Sequence, residues 1–508
     1  MVHLLLLGLI FPLLSFFFQS YPRFFNKYFG VDVWTRLIEI DHVRRAKHRI
    51  PGKITKGFII DGFFDYPILF PWIFSFFPKK VVLEFQGFVS PFFDAIQNFV
   101  VFIICYQLTN NFLMALLSQL IYTLTPIISI ENSYLTPRSF GYLNFTLAFY
   151  PLLIYQDNHQ LLYLFLGFLF SVVLFLSHRF ALQSFIFITI FFTFYDRTII
   201  YLIYLAISFL TATLITKGYY LRVAKGHLSN IYFWILNYRY RFSHQVYGLK
   251  KIKKPDLVGN IYSLLSSFSP VFLFGLNVWI ASGFIYYYLY NYQEQYITKN
   301  IIFLKMSVWT IFFYVLAAIV LKVKKLIPIG EGQRYLEMAT VPSSILSAII
   351  FVSFYQKLGL LTLIVFFLIL LGNLGIILFV QIKGVIKDKN RSVTHELQDT
   401  FSYINKLPGI PRIMCIPHQI TTMTVYNTKA DVLVNADNPQ LMTMFDFYPV
   451  LKKPIEYLQK KYKLSHLLLR ESYAELEDLK MKKPNIIFRS GDVILVKLDL
   501  SSKTKCNT

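Results

Sequence analysis

The sequence predicts a polytopic α-helical membrane protein with a small extramembrane α/β domain. Of its 508 residues, 56% are hydrophobic and 15% are charged, whereas soluble globular chains contain roughly 25% charged residues. Apolar runs of about 20 residues recur along most of the chain, and each is long enough to cross a bilayer as a helix. Towards the carboxyl end, shorter strand-like and helix-like segments replace these runs, which favours a separate α/β domain.

The chain contains about eleven apolar runs of spanning length. Their approximate limits are residues 2–18, 92–108, 111–130, 139–155, 160–177, 180–195, 197–216, 262–288, 300–321, 341–356 and 358–381. The first run lacks a basic segment before it and a small-residue cleavage site after it, so we expect a retained helix and not a signal peptide. Residues 66–77 are apolar but short and contain two prolines, which favours a re-entrant or interfacial segment.

Polar segments set the domain organisation. Residues 19–91 form a long loop after the first span, and residues 217–258 form a second long connection rich in Lys and Arg. We predict a membrane domain over residues 1–381 and an extramembrane α/β domain over residues 382–508. In the second domain we expect strands at residues 413–416, 432–434, 467–469, 486–488 and 493–496, and a helix at residues 454–462.

The chain is strongly basic, with a net charge of +23. Because Lys and Arg cluster between the apolar runs, we expect membrane lipid phosphates as their partners and no nucleic acid. The bases also bear on orientation, since the positive-inside rule would place basic loops in the cytoplasm. Either the loops lie there, or the bases are kept on the outer side for function. The expected location is the cytoplasmic (plasma) membrane, as a multi-pass protein.

The first loop places acidic residues beside a basic cluster. Asp32, Glu39 and Asp41 are the candidate catalytic residues. If this segment is helical, Asp32 and Glu39 share one face, because seven residues make about two turns. A carboxylate at the membrane edge can act as general base on an acceptor hydroxyl, and a pair such as Asp32 and Asp65 can hold a divalent cation. Alternatively, these acids only neutralise neighbouring bases on a solvated helix.

Later polar turns carry cationic side chains suited to phosphate. The candidate substrate-binding residues are Arg138, His178, Arg179, Glu331, Arg334 and Tyr335. The planar guanidinium of Arg334 can chelate phosphate oxygens, and Glu331 can orient it. The alternative is that these residues anchor the helices at the membrane interface or simply form polar turns.

Several familiar signatures do not occur in the sequence. It has no Gly-rich phosphate loop ending in Lys-Ser/Thr, no His-Glu-x-x-His and no Gly-x-Ser-x-Gly. These absences argue against ATP hydrolysis and serine hydrolysis.

Taken in order, the polar motifs resemble those of the membrane glycosyltransferase C (GT-C) superfamily. That superfamily includes the oligosaccharyltransferases, the protein O-mannosyltransferases and many prokaryotic polyprenyl-phosphate-sugar transferases. The resemblance rests on the first helix and on residues 32–37, 50–51, 65–67, 137–141, 331–337 and 461–469. Arg36 departs from the pattern, because many relatives have a His four residues after the acid.

The resemblance implies an inverting transfer of a sugar from a polyprenyl-phosphate carrier to an acceptor at the non-cytoplasmic face. Asp32 would be the general base or a metal ligand, and Arg138 and Arg334 would contact phosphate. The resemblance leaves three classes of acceptor open: a glycan, a lipid or a protein. A divalent cation is the only cofactor suggested. Two other functions remain open: a transporter or flippase of lipid-linked or anionic solutes, and a non-catalytic envelope-assembly partner with the same fold.

Overall fold

The computed structural model describes residues 6–54, 57–131, 135–241, 243–246, 270–292, 299–433, 439–481 and 484–498. Part of the basic connection predicted at 217–258 and the start of the span predicted at 262–288 lie outside these residues. The last residue of the strand predicted at 432–434 does so as well.

The amino-terminal part combines one apolar helix with several short elements. Its elements are α1 (Ile10–Ser20), α2 (Pro22–Phe25), α3 (Val31–Arg45), β1 (Lys53–Ile54), β2 (Gly62–Phe63), α4 (Leu69–Ser75) and α5 (Lys79–Phe85). The strands β1 and β2 pair antiparallel. Helix α4 has seven residues, too few to cross a membrane. This agrees with an interfacial or re-entrant segment where the sequence has Pro67 and Pro71.

The body of the molecule is a bundle of apolar helices. They are α6 (Val89–Thr109), α7 (Phe112–Thr123), α8 (Pro126–Glu131), α9 (Arg138–Asn158), α10 (Leu161–Phe175), α11 (Arg179–Tyr195), α12 (Ile200–Ile215), α13 (Tyr219–Asn237), α14 (Pro270–Leu276), α15 (Ala281–Asn291), α16 (Ile301–Lys322), α17 (Gly332–Met338), α18 (Thr340–Leu358) and α19 (Leu360–Gln381). Its core is rich in aromatic rings: Phe149 and Trp309, for example, meet edge to face with centroids 4.9 Å apart.

The structure supports a multi-pass membrane protein but does not confirm eleven spans. Within the described residues, four helical stretches are long and apolar enough to cross a membrane: Lys79–Thr109, Ile301–Lys322, Thr340–Leu358 and Leu360–Ile386. A fifth results if Ile200–Ile215 and Tyr219–Tyr240, bent by 118°, form one broken span. Other predicted runs form shorter helices. The run at 111–130, for example, breaks before Pro126, which suits the first turn of α8.

Helix α13 was not expected, because its sequence lies in the predicted basic connection. The segment is an amphipathic helix, and its Lys and Arg residues lower its mean hydropathy. Its buried positions include Tyr219, Val223 and Phe233. Spacings of three to four residues place such side chains along one stripe. The helix brings Gly226 and His227 against the site described below.

The carboxyl-terminal part has a five-stranded mixed sheet. Its elements are α20 (His395–Lys406), β3 (Arg412–Ile416), α21 (Thr421–Asn427), β4 (Asp431–Val432), α22 (Ile455–Tyr462), β5 (His466–Arg470), β6 (Asn485–Ser490) and β7 (Val493–Lys497). The strand order is β4-β3-β5-β7-β6, with β3 parallel to β4 and β5 and with β7 antiparallel to β5 and β6. Every predicted strand corresponds to one observed here, as does the predicted helix.

The first loop completes the edge of this sheet. Phe58 pairs in parallel with Val432 of β4. The Val432 amide donates to the Gly57 carbonyl at 3.0 Å, and the Ile59 amide donates to the Val432 carbonyl at 2.9 Å. The outer edge of β4 is therefore already hydrogen-bonded to residues 57–59 of the first loop.

Helix α3 lies between the helical bundle and the α/β domain. Its apolar residues Trp34 and Leu37 are buried in one cluster with Leu397, Phe401 and Val432 of the carboxyl-terminal part. Its polar residues on another face join side chains from the bundle. Helix α3 is thus buried on two sides, with Ile38 and Val43 in the cluster of the bundle, and it carries its charged groups at the junction of the two parts.

Candidate functional site

Asp32 lies in the first turn of α3 and is exposed. A carboxylate in this position is favoured by the positive end of the helix dipole. Arg36 follows one turn later, and residues four apart on a helix have Cβ atoms about 5–6 Å apart. Asp32 is therefore a solvent-accessible acid beside the buried groups that follow, and no described residue forms an ion pair with it.

Arg36 and Glu39 form a buried ion pair on α3. One guanidinium nitrogen of Arg36 donates to both carboxylate oxygens of Glu39, at 2.8 and 2.7 Å. Both side chains are less than a tenth exposed. The segment is helical over Val31–Arg45, but Glu39 is buried whereas Asp32 is exposed, and the Glu39 charge is paired with Arg36.

A second ion pair packs against the first through Tyr66. The Arg179 guanidinium lies 3.1 Å from an Asp65 carboxylate oxygen and also donates to the Asp65 backbone carbonyl. The Tyr66 ring contacts both cations, with its centroid 3.9 Å from the Arg36 guanidinium carbon and 5.1 Å from that of Arg179. This aromatic ring thus links α3 to the start of α11.

The close approach of α13 to the first loop requires a glycine. A Cβ atom added to Gly226 would lie 2.0 Å from an Asp65 carboxylate oxygen. Since that oxygen belongs to the buried pair with Arg179, a side chain at position 226 would displace the pair.

We therefore expect Gly226→Ala to destabilise the protein by about 1–3 kcal/mol, because overpacking forces buried groups apart. Thermal unfolding of the protein in detergent measures this effect. Gly372→Ala is the matched control, since Gly372 is also in a helix and has open space around its Cβ position. The control should be neutral or slightly stabilising, and an equally mild effect of Gly226→Ala would contradict the prediction.

His178 precedes α11 and lies at the centre of the cationic residues. Its Nδ1 accepts the Ala181 amide hydrogen at 3.2 Å, which caps the helix. Burial, reinforced by the positive charges of Arg138, Arg36 and Arg334, holds the pKa of His178 well below its usual value. The lowered pKa favours a neutral His178 ring, which does not add a further positive charge to the three arginines.

Arg138 is placed by the start of α9. Its amide donates to Thr136 Oγ1 at 2.9 Å, and Ser90 of α6 donates to the Thr136 carbonyl at 3.0 Å. The Arg138 side chain is buried. The turn predicted from residues 137–141 therefore directs its arginine into the molecule and not towards a lipid interface.

Arg334, in α17, belongs to a further charged group with Glu331. The Arg334 Nε atom lies 3.2 Å from one Glu331 oxygen, and the Arg241 guanidinium lies 3.6 Å from the other. The charges of Arg334, Arg241 and Arg138 hold the pKa of Glu331 below its usual value despite burial. Arg334 is 30% exposed, so its side chain is accessible from solvent.

Tyr335 supports this turn from beneath. Its ring is fully buried, and its hydroxyl donates to the Ile329 carbonyl at 2.7 Å and accepts from Gln183 at 2.8 Å. The Gln183 amide oxygen in turn lies 3.1 Å from His227 Nε2. The contacts of Tyr335 are those of a positioning residue for the Glu331 and Arg334 turn.

Asp41 lies on a different side of α3 from Glu39. It forms ion pairs with Arg44 and with Lys79, the latter at 3.0 Å. It also lines a pocket against the α/β domain. Asp41 is therefore separated from the group formed by Arg36, Glu39 and Asp65.

The sequence interpretation missed three contributors to the site. Arg36 was treated only as a departure from a family pattern, although it pairs with Glu39 and contacts Tyr66. Arg241 lies in the basic connection, where no local pattern distinguishes it from its neighbours. Tyr66 has a sequence signal, since it stands between Asp65 and Pro67, but its contacts with two arginines depend on the tertiary fold.

Two of the acids in this region pair with arginines. Asp65, proposed with Asp32 as a ligand pair, is paired with Arg179, and Glu39 is paired with Arg36. Among the described residues, no group of three or more His, Cys, Asp or Glu side chains is placed to hold a metal ion.

The site as a whole is cationic. Its positive members are Arg36, Arg138, Arg179, Arg241 and Arg334, and its negative members are Glu39, Asp65 and Glu331. Most of these groups are shielded from water, which strengthens their electrostatic interactions. An excess of guanidinium groups can bind a phosphate, and the exposed Asp32 carboxylate, one helical turn from Arg36, can receive a proton.

No protein-family model and no curated protein matches the sequence. The structure, in contrast, is similar to the apo oligosaccharyltransferase of Archaeoglobus fulgidus, with a TM-score of 0.58 and 10% sequence identity. The similarity covers 92% of this chain and 69% of that one.

Two further solved structures are similar. Archaeal oligosaccharyltransferase AglB from Archaeoglobus fulgidus, in complex with an inhibitory peptide and a dolichol-phosphate, has a TM-score of 0.57 and 10% identity over 92% of this chain and 69% of that chain. ArnT from Cupriavidus metallidurans, in the apo state, has a TM-score of 0.42 and 11% identity over 97% of each chain. The long match to the archaeal enzyme confirms the expected architecture: this chain has a GT-C-like fold.

Proposed function

We propose that the protein is a membrane glycosyltransferase that uses a polyprenyl-phosphate-linked sugar as donor. The observation that carries this proposal is the exposed Asp32, one helical turn from the buried Arg36, within a GT-C-like fold. The acceptor reaches Asp32 from the aqueous side, and the lipid phosphate lies against the cationic site. The proposed location is the non-cytoplasmic face of the plasma membrane.

In this mechanism, Asp32 is the general base. The acceptor hydroxyl attacks the anomeric carbon of the donor sugar while Asp32 takes the hydroxyl proton. The bond between that carbon and the phosphate oxygen breaks, and its electron pair leaves with the polyprenyl phosphate. Attack opposite the leaving group inverts the anomeric configuration. The phosphate is a good leaving group and needs no general acid.

Arg334 is the proposed contact for the departing phosphate. Among the ion-paired arginines of the site, Arg334 has the most exposed side chain. Glu331 and the Tyr335 hydroxyl position the turn that carries it. The charges of Arg138 and Arg36 act on His178, as does that of Arg334, which supports a contribution of both to the binding of the phosphate. Fixed positive charge aimed at the developing phosphate charge lowers the barrier without reorganisation of the protein.

The comparison with the archaeal oligosaccharyltransferase supports a lipid-phosphate donor. That enzyme has been solved with a dolichol-phosphate and an inhibitory peptide. The cationic site here offers the same general chemistry for a lipid phosphate. It does not select the sugar or the acceptor, since fold alone does not determine substrate.

A transfer assay with purified protein in detergent tests the proposal. A polyprenyl-phosphate sugar and a mixture of glycan, lipid and peptide acceptors should yield a glycosylated product without any sealed compartment. If the sugar–phosphate bond remains intact while the lipid-linked donor moves across the bilayer of proteoliposomes, the protein is a transporter and the proposal is wrong. If neither occurs, the non-catalytic role is favoured instead.

The same assay tests Arg334. We expect Arg334→Gln to lower transfer efficiency about 10- to 100-fold, because hydrogen bonds to a charged group contribute about 1.5–3 kcal/mol. Arg197→Gln is the control, since Arg197 is exposed in a turn after α11, at the end opposite Arg179. Equal efficiencies for the two variants would remove Arg334 from the mechanism.

A further inference from the structure

Helix α13 has apolar side chains on two opposite faces. One face is buried, as described above. On the other face, side chains at positions 221, 225, 228, 232, 235 and 236 follow one another at helical spacings and form a single stripe. All six are exposed, and the five apolar ones are Leu221, Leu228, Tyr232, Ile235 and Leu236. A continuous exposed apolar surface of this kind marks a contact with a membrane or another molecule.

Helix α13 contacts extramembrane parts of the protein along its whole length. Near its start, the Tyr219 hydroxyl donates to the Tyr66 carbonyl of the first loop. Near its end, the Phe233 ring stacks on Tyr448 of the α/β domain, with centroids 5.7 Å apart. The first loop and this domain are themselves joined at the edge of β4.

These contacts exclude a transmembrane course for α13. Its 19 residues make a helix about 28 Å long, close to the thickness of the hydrocarbon core. If α13 crossed the membrane, one of its ends would lie on the side opposite the α/β domain. Because both ends contact groups on the same side, α13 runs along the surface of the bundle that faces this domain.

The end of the spanning helix α16 marks the membrane surface beside α13. Near its start, Lys305 of α16 pairs with Asp196, which follows the end of α11 opposite the site. The helix then crosses the bundle and ends at Lys322, and the turn Lys324–Ile329 that follows packs against α13. The apolar stripe of α13 is therefore at the level where a spanning helix leaves the lipid.

Exposed bases accompany the stripe. Two lie on α13, one follows it, and three lie at the end of α16 and in the turn beside α13: Arg222, Lys225, Arg239, Lys322, Lys324 and Lys325. No residue in the described parts of the chain forms an ion pair with any of them. Bases at the surface of a membrane attract the phosphates of anionic lipids.

We propose that α13 lies in the plane of the membrane surface on the side of the α/β domain. Its exposed apolar stripe inserts between the lipid chains just below the headgroups, and the six bases bind the phosphates of anionic phospholipids. Through Gly226 and His227 the same helix also contacts Asp65 and Gln183 of the cationic site. This inference does not depend on the proposed sugar transfer.

Spin-label depth measurements in proteoliposomes test the course of α13. The three variants are Leu221→Cys, Leu228→Cys and Ile235→Cys, each carrying one nitroxide. Cys506→Ser removes one native cysteine, and the other two are buried. Collision rates with oxygen and with a water-soluble nickel chelate give the depth of each label. We expect all three labels in lipid at one shallow depth of about 5–10 Å, since an in-plane helix keeps its stripe at one level.

Two positions on α16 provide the control. Val315 and Val323 are both exposed and are eight residues apart, at the middle and just after the end of a spanning helix. The label in Val315→Cys should therefore lie about 12 Å deeper than that in Val323→Cys. A step of about 10 Å between neighbouring labels on α13 would show that α13 crosses the membrane. Labels reached by the nickel chelate alone would place the stripe in water, and labels reached by neither reagent would place it under protein. Each of these results would overturn the inference.

Native mass spectrometry of the full-length protein tests the choice of lipid. The protein is titrated with phosphatidylglycerol or with phosphatidylcholine of the same acyl chains, and we expect tighter binding of phosphatidylglycerol. The triple variant Lys322→Gln, Lys324→Gln and Lys325→Gln should weaken that binding at least about fivefold, the effect of one base near an anionic surface.

A second triple variant controls for the loss of charge. It combines Lys406→Gln, Lys460→Gln and Lys463→Gln, at exposed positions of the α/β domain, and it should bind phosphatidylglycerol as the wild type does. Equal affinity of the wild type for the two lipids, or equal effects of the two triple variants, would contradict the binding of anionic phospholipid at this surface.

Discussion

Asp32→Asn is expected to lower the rate of sugar transfer by about 10²- to 10⁴-fold, the usual contribution of a general base. Asparagine has nearly the same shape as aspartate but cannot take the acceptor proton. Because Asp32 is exposed and no described residue pairs with it, the substitution should cost no more than the helix-dipole contribution of about 0.3–1 kcal/mol. The measurement is the initial rate of product formation with saturating donor and acceptor.

Asp61→Asn is the matched control for this result. Asp61 is another exposed acid of the first loop, and its contact is a surface ion pair with Lys53 at 2.5 Å. Surface pairs of this kind contribute about 0–1 kcal/mol, so the control should retain both stability and activity. Full transfer activity in Asp32→Asn would rule out Asp32 as the base.

The second large effect concerns stability. Arg179→Met is expected to destabilise the protein by about 3–5 kcal/mol, because removing one partner of a buried ion pair leaves the other charge poorly compensated. The Arg179 and Asp65 side chains are 12% and 4% exposed. Substitution also removes the contact of Arg179 with the Tyr66 ring and its hydrogen bond to the Asp65 carbonyl. Thermal unfolding in detergent measures the loss.

A double variant separates the charge from the packing. Asp65→Asn combined with Arg179→Met should recover much of the lost stability, since no buried charge remains at that pair. Arg197→Met, at an exposed position, is the control and should unfold like the wild type. A double variant no more stable than Arg179→Met would show that packing against Tyr66, and not the ion pair, maintains the region.

The α/β domain was predictable because its signals are local. Short β-branched and aliphatic runs mark its strands, and four of the observed strands extend the expected run by one to three residues, whereas β4 begins one residue earlier and ends at Val432. The candidate groups Asp32, Glu39, Arg138 and Arg334 were nominated from local patterns as well, and their roles stay predictions. All of these depend on patterns within a few residues of the chain.

The number of spans could not be predicted in the same way. Hydropathy measures how apolar a run is. It does not show whether the run forms one continuous helix or is buried against other helices. The apolar run at residues 111–130, for example, forms two helices that are separated before Pro126. The apolar positions of α13 alternate with basic residues, which lowers the hydropathy of the segment.

The arrangement of the site was equally inaccessible from sequence. Arg36, Arg138 and Arg334 come from three elements far apart in the chain, yet all three charges act on His178. Tyr66 contacts two arginines that come from different helices. Such convergence is set by tertiary packing, so a sequence can nominate the groups but not their partners.

The bridge between residues 57–59 and β4 has a consequence for protein engineering. Its hydrogen bonds join the first loop to the edge of the sheet, although most of the membrane bundle separates the two in sequence. Exchange of the carboxyl-terminal domain between related chains would therefore leave the first loop against a mismatched sheet edge. Functional chimaeras should require the first loop and the carboxyl-terminal domain to be exchanged together, although the two segments are far apart in the chain.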